Sequence, residues 1–214
     1  MSVLGRALLF FPAIILMSAL ASIGLAVSRG APLWLFVAAA CLYLVPLICF
    51  RVHSFFFPKR EGLTRISGPG YSPWWGGHQI QLIYIGFPFL EAPLRMIPGA
   101  FSLWLRLWGS RIGEGVYWTP EVSIVDRDLL EVGDGVVFGH RVVTLSHVIR
   151  PGKRGMLLFV KRVRIGSGAF IGAGSAIGPG SEIQAGALLP VESRVFVNES
   201  VGGDNPGDSS GDRQ

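Results

Sequence analysis

Charge is what this chain has least of. Charged residues make up 15% of its 214 positions, against roughly 25% in an ordinary soluble domain, so part of the chain is expected to meet lipid. Cysteine is nearly missing. Cys41 and Cys49 are the two present, both in an apolar segment, which excludes a disulfide framework and leaves them as small packing residues. Histidine is scarce, with four in the chain, and no Cys/His cluster has zinc spacing. The net charge of +5 suits an anionic membrane surface or a phosphorylated ligand. It is too weak to argue for nucleic acid, and no motif does so.

Two stretches lack charge altogether: ALLFFPAIILMSALASIGLAV at 7–27 and APLWLFVAAACLYLVPLICF at 31–50. A helix needs roughly 20 apolar residues to cross a bilayer. With the polar turn SRG between them, the two read as a transmembrane helical hairpin within residues 1–60. A signal peptide is the competing reading of the first stretch. Its apolar core is too long, it lacks a clean small-x-small site, and a second span follows at once. Arg6 precedes the first span and Arg51, Lys59 and Arg60 follow the second, while the turn holds Arg29 alone. This bias predicts a multi-pass protein of the bacterial inner (cytoplasmic) membrane, with both termini and the later domain in the cytoplasm.

Residues 61–110 read as a linker. Pro88, Pro93 and Pro98 break its apolar pieces, which predicts short amphipathic helices in the interfacial plane. Phe101, Leu105 and Trp108 stand at helical spacing with Arg106 off their stripe. Trp74, Trp75, Trp104 and Trp108 fit an interfacial aromatic belt or a packing platform for the next domain. Whether 71–108 enters the bilayer stays open.

From Arg111 the pattern changes. Ile165, Ile171, Ile177, Ile183, Leu189, Val195 and Val201 recur at every sixth position, with Gly168, Gly174, Gly180 and Gly186 three places after the first four. A hexapeptide period marks a parallel β-helix, predicted here over 111–201. The aliphatic residue points into the axis, small residues turn the corners, and coils stack at about 4.8 Å. Ile112, Trp118 and Ile124 begin the same period. VDRDLLEV then adds two residues before Val132, Phe138 and Thr144 resume it. The excursion IRPGKRGMLLFVKRV separates the two blocks and is expected to leave as a loop from one face, often the binding face. Its cations, Arg150, Lys153, Arg154, Lys161 and Arg162, followed by Arg164, suit phosphates, anionic lipid or plain solvent. Its apolar MLLFV either dips into the bilayer or lines a site for a lipid chain. The tail, 202–214, has almost no apolar residue and is expected to be disordered.

One histidine stands where the first block ends, in VVTLSHVIRPGKRG. His147 is a packing residue closing a coil end, a ligand or a catalyst. His140, in FGHRVV, is placed to orient a base, contact a substrate or face solvent. A zinc site would need three ligands, and the coil has only these two histidines, with His53 and His78 upstream.

From Arg111 to Pro206 the chain resembles the left-handed β-helix, or hexapeptide-repeat, acyltransferases. TLSHVIRPG is similar to the strand end where sugar acetyltransferases of that family carry Thr-x-x-His-Pro and their catalytic histidine. VRIGSGAFIGAG resembles the family's cofactor-binding coils, and VGGDNP its terminal Gly-Asn-Pro turn. The earlier WGSRIGEGVYWTPEVSIVDRDLLEVGDGVVF more closely resembles membrane-linked hexapeptide domains that end some peptide synthetases. The resemblance implies an enzyme, an acyltransferase transferring groups other than aminoacyl groups, with no permanently bound cofactor. Acyl-CoA or an acyl carrier protein is the implied donor. His147 is the implied general base, with His140 beside it. Gly172, Ala173, Ala185 and Gly186 are the implied backbone contacts to acyl-CoA, with Lys161 and Arg162 for its phosphates. Small residues at those positions equally suit the coil corners. A homotrimer with sites at subunit boundaries is the implied assembly. Together with the membrane segments, this points to a lipid-linked hydroxyl or amine acceptor. A non-catalytic scaffold in a membrane complex and a tailoring module partnered with a peptide synthetase are the alternatives.

Overall fold

The computed structural model describes residues 2–202 apart from residues 69 and 154. The expected disordered tail beyond Gly202, with the last part of VGGDNP, lies outside the described residues, as does Arg154. The apolar start forms helices α1 (Val3–Leu8), α2 (Phe11–Arg29) and α3 (Leu33–Ala39), then a π-turn at Ala40–Leu44 and α4 (Val45–Phe56). Gly30 closes α2 at φ 61°, a left-handed cap that costs glycine no Cβ clash. The continuous stretches Val3–Arg29 and Leu33–Phe56 are long and apolar enough to cross a membrane. Phe10, Met17, Leu20, Phe36 and Ile48 on them face outward.

The linker forms the expected short helices and adds a strand. It supplies a strand, β1 (Gly62–Arg65), then α5 (Pro73–Gly86), a 3-10 turn at Pro88–Glu91, α6 (Ala92–Met96) and α7 (Ala100–Trp108). Ser72 caps α5 by accepting from Trp75 N–H at 3.3 Å. Helix α5 packs against α1, α2 and α4. A Cβ on Gly76 would run into Tyr71 and His53, and one on Gly77 into Lys59 and Phe50, so the two glycines let the helices close. Trp74, Trp104 and Trp108 are 4%, 6% and 0% exposed. They pack in the core, and the platform reading accounts for them. Phe101 of α7 meets Trp118 edge-on at 5.2 Å, and Trp118 stacks on Phe138 at 4.4 Å, which joins the helices to the coil in one core.

The coil opens with β2 (Arg111–Ile112), β3 (Tyr117–Trp118), β4 (Ser123–Ile124), β5 (Leu130–Val132), β6 (Val137–Phe138) and β7 (Val143–Thr144). The excursion supplies β8 (His147–Gly152) and β9 (Gly155–Val160). The coil resumes with β10 (Val163–Ile165), β11 (Phe170–Ile171), β12 (Ala176–Ile177), β13 (Glu182–Ile183), β14 (Leu188–Leu189), β15 (Arg194–Val195) and β16 (Ser200–Val201). Leaving out the excursion, successive strands enter three parallel sheets in rotation: β2-β5-β10-β13-β16, β3-β6-β11-β14 and β4-β7-β12-β15. Ile165, Ile171, Ile177, Ile183, Leu189 and Val195 are all buried, as the six-residue period predicts.

Both breaks in that period fall at one corner, where the third sheet hands over to the first. The earlier turn there holds residues 125–129, and the next turn holds the excursion. Strands β8 and β9 form an antiparallel hairpin, and β1 pairs along β9. The apolar MLLFV is a strand with an inner edge: Leu158 and Val160 are buried against Trp74 and Leu129. Strand alternation uses that edge inside the protein, where the sequence suggested a dip into lipid or a lipid-chain site.

Candidate active site

The longer turn at 125–129 projects Asp126, Arg127 and Asp128 beneath the start of the excursion. Asp126 is 3% exposed, and three donors satisfy its carboxylate. Ser146 N–H reaches Oδ2 at 2.9 Å, His147 Nδ1 reaches Oδ2 at 2.8 Å, and Trp74 Nε1 reaches Oδ1 at 3.3 Å. Burial pushes the Asp126 carboxyl up. The hydrogen bond and charge of His147, with Lys59 and the Ser146 N–H, outweigh that and hold it below its ordinary range. With Nδ1 bonded to Asp126, Nε2 is the other ring nitrogen of His147. Its side chain is 13% exposed.

Helix α5 builds the opposite wall. Trp74 lies 4.4 Å from the His147 ring, centroid to centroid. One turn on, His78 stacks against Trp74 at 4.8 Å and meets His147 edge-on at 5.5 Å. Burial lowers the pKa of His78 to about 4, with His147, Lys59 and Arg127 adding to the fall and Asp126 opposing it. The ring is neutral near pH 7.

The other charges of the turn clamp it to the helices. Lys59 Nζ donates to both Asp128 oxygens at 2.7 and 2.6 Å, and Gln81 Nε2 donates to Asp128 Oδ1 at 3.1 Å. Gln81 Oε1 accepts from Arg127 N–H at 2.8 Å. Arg127 makes a two-pronged pair with Glu91, Nε to Oε1 at 2.6 Å and Nη2 to Oε2 at 2.9 Å. Trp104 Nε1 donates to the same Oε1 at 2.8 Å. Buried charges need partners of this kind, and here they come from Lys59 and from the linker.

The structure places His147 at the centre of this arrangement and His140 at another corner. His140 is half exposed, 3.4 Å from Glu121, which also pairs with Arg141 at 2.7 Å. The six candidate donor contacts spread over three corners. Gly172 and Ala173 lie between the second and third sheets, where a Cβ on Gly172 would sit 2.4 Å from the Pro190 carbonyl carbon. Stacking alone therefore requires that glycine. Ala185 and Gly186 lie between the first and second sheets, and Ala185 lines a groove of about 670 Å³ with Arg106, Arg111 and Arg164. Lys161 donates to Asn198 Oδ1 at 2.9 Å, and Arg162 N–H to Glu61 Oε2 at 3.3 Å. One copy of the chain does not gather these six around one ligand. His78, placed upstream of the coil by the sequence, is brought to His147. His53 instead bonds Tyr71. Among the described residues no three His, Cys, Asp or Glu side chains group to hold a metal ion.

Asp126, Trp74 and His78 escaped the sequence reading. The one signal was the two-residue excess in VDRDLLEV, which marks a turn too long for a simple corner.

No protein-family model matches the chain, and no curated protein matches it. Among solved structures, a hexapeptide-repeat-containing acetyltransferase of Vibrio cholerae is similar at 21% identity and TM-score 0.37, over 45% of this chain and 58% of that one. The chain thus spans 58% of the length of that protein. Serine acetyltransferase isoform 3 of Entamoeba histolytica, solved with cysteine, is similar at 11% identity and TM-score 0.35, over 99% of this chain and 85% of that one.

Proposed function

We propose that this protein is a membrane-anchored acyltransferase built on a left-handed β-helix. It moves an acyl group from acyl-CoA or an acyl carrier protein to a hydroxyl or amine of a lipid-linked acceptor. The observation that carries the reading is the 2.8 Å bond between His147 Nδ1 and the buried Asp126 carboxylate. That bond orients the ring and presents Nε2 as a base. Asp126 stabilises the imidazolium that forms, because its own pKa is held low. In the proposed reaction Nε2 takes the proton from the acceptor as its oxygen or nitrogen attacks the thioester carbonyl. The tetrahedral intermediate collapses, the carbon–sulfur bond breaks, and the departing thiolate recovers the proton from His147.

The two apolar helical stretches support anchoring, and the excess of Arg and Lys outside the turn supports a cytoplasmic site on the bacterial inner membrane. Assembly as a homotrimer would bring corners of neighbouring copies together. Gly172, Ala173, Ala185, Gly186, Lys161 and Arg162 would then contact one donor from different copies, with His140 in the same seam.

The test is thiol release from an acyl-CoA chain-length series by detergent-purified protein with bacterial lipid extract. Lipid-dependent release by the wild type that His147→Ala abolishes is the expected result. Equal release by both proteins removes His147 as the base. No release from acyl-CoA or from an acylated carrier protein, with both proteins folded, leaves the scaffold reading in its place.

A further inference from the structure

The site has a second imidazole, and its surroundings give it a different task. His147 belongs to the coil and is paired with a carboxylate. His78 belongs to α5, has no carboxylate bonded to it among the described residues, and lies edge-on to His147 at 5.5 Å. Trp74 fixes that spacing, since its ring stacks on His78 and tilts against His147. Helix α5 is also the element of the site packed against the apolar helices. Gly76 and Gly77, just before His78, admit His53, Tyr71, Lys59 and Phe50 to within a Cβ radius of the helix. Helix α5 therefore lies between the apolar helices and the irregular corner of the coil.

We propose that His78 is the residue that receives the acceptor, hydrogen-bonding the hydroxyl or amine of a lipid headgroup and holding it opposite His147. This rests on the acyl-transfer reading. A neutral imidazole suits the task because it offers one donor and one acceptor. It also adds no positive charge beside His147 as that ring takes up a proton. Burial above all keeps it so, and the charges around it act on both sides. Lys59, Arg127 and His147 disfavour its protonation, and Asp126, whose bonds go to His147, Ser146 and Trp74, is the acid that favours it.

The test uses the full chain in phosphatidylcholine nanodiscs, with histidine labelled for NMR and the His78 signal assigned by its loss in a variant. Phosphatidylethanolamine supplies a headgroup amine, phosphatidylglycerol a headgroup hydroxyl, and phosphatidylcholine neither. The His78 signal is expected to shift when one of the first two lipids is added, and to stay still with phosphatidylcholine or CoA alone. No shift with either lipid, or a shift with CoA alone, overturns the proposal. In kinetics, His78→Phe keeps the stack on Trp74 and loses the nitrogens, while His78→Gln keeps a polar atom and loses the stack. His78→Phe is expected to raise the acceptor KM about tenfold, the weight of one hydrogen bond, with the acyl-CoA KM unchanged and His78→Gln the milder variant. The reverse order indicates a packing role and overturns the proposal. If the wild type transfers no acyl group but His78 still answers to lipid, the headgroup contact stands and the acyl-transfer reading falls. If transfer proceeds while His78 is silent to lipid and His78→Phe matches wild type, the contact falls alone.

Discussion

From Val163 to Val201 the coil runs without interruption. Its inward residues are buried from Val163 to Val195, and its charges lie outside, where Arg164 reaches Glu182 at 3.0 Å with both side chains nearly half exposed. From Arg111 to Arg162 the coil obeys the same rule but breaks it twice at one corner. There the charges turn inward. Arg127 and Glu91 pair at 2.6 Å with each side chain 2% exposed, and Asp126 holds His147. A solenoid can carry a longer turn at one corner without disturbing its sheets, because each coil contacts only its neighbours. The regular half packs only its own coils, and buried charge gathers where the repeat is broken and another part of the chain fills the gap.

The comparison can be broken most sharply at the irregular corner. His147→Ala should lower acyl transfer by about 10²- to 10⁴-fold, the weight of a positioned general base, with far-UV circular dichroism unchanged. Asp126→Asn, read in the same thiol assay, should cost less, about tenfold or more, because it disturbs the orientation of the base and leaves the base present. Equal activity in both variants would show that the corner is only structural.

Arg127→Met tests the clamp. Removing one partner from a buried pair leaves a charge uncompensated, a loss of about 3–5 kcal/mol, to be read from denaturant unfolding in detergent. The same measurement on Arg164→Ala, in the regular half, should give about 0–1 kcal/mol. Similar losses at the two sites would erase the contrast.

Between them in size falls a pH effect. Unfolded, His78 binds a proton near 6.5; folded, it does so only near 4. Its contribution to stability is therefore full above pH 6.5 and is lost as the pH falls towards 4. At 1.36 kcal/mol per unit, the wild type should lose up to about 3 kcal/mol across that window. His78→Phe should lack this part of the decline. Parallel melting curves for the two proteins would contradict the burial of His78.

Much of the scaffold was legible because its determinants are local and periodic. Ile165 to Val195 at sixth positions prescribe a three-sided coil, and the uncharged runs before Arg29 and before Phe50 prescribe helices. Phe101, Leu105 and Trp108 marked the buried face of α7, although the sequence could not say whether lipid or protein would cover it. His147 drew attention by its place at the strand end. Its partner lies 21 residues earlier, in a turn that the sequence marked only by two extra residues. Trp74 looked like part of an interfacial belt, and His78 looked too remote from the coil to matter.

The sequence by itself determined the coil, the two apolar helices and the place where the repeat fails, because hydrophobic period and length act over neighbouring residues. Only the tertiary structure decided that the failure gathers Asp126, His147, Trp74 and His78 in one cluster. Two turns separated by a full coil must stack before Asp126 can meet His147, and α5 must pack across that corner before Trp74 and His78 can close it. Pairings across such distances depend on how the layers seat on one another, and no local pattern carries that information.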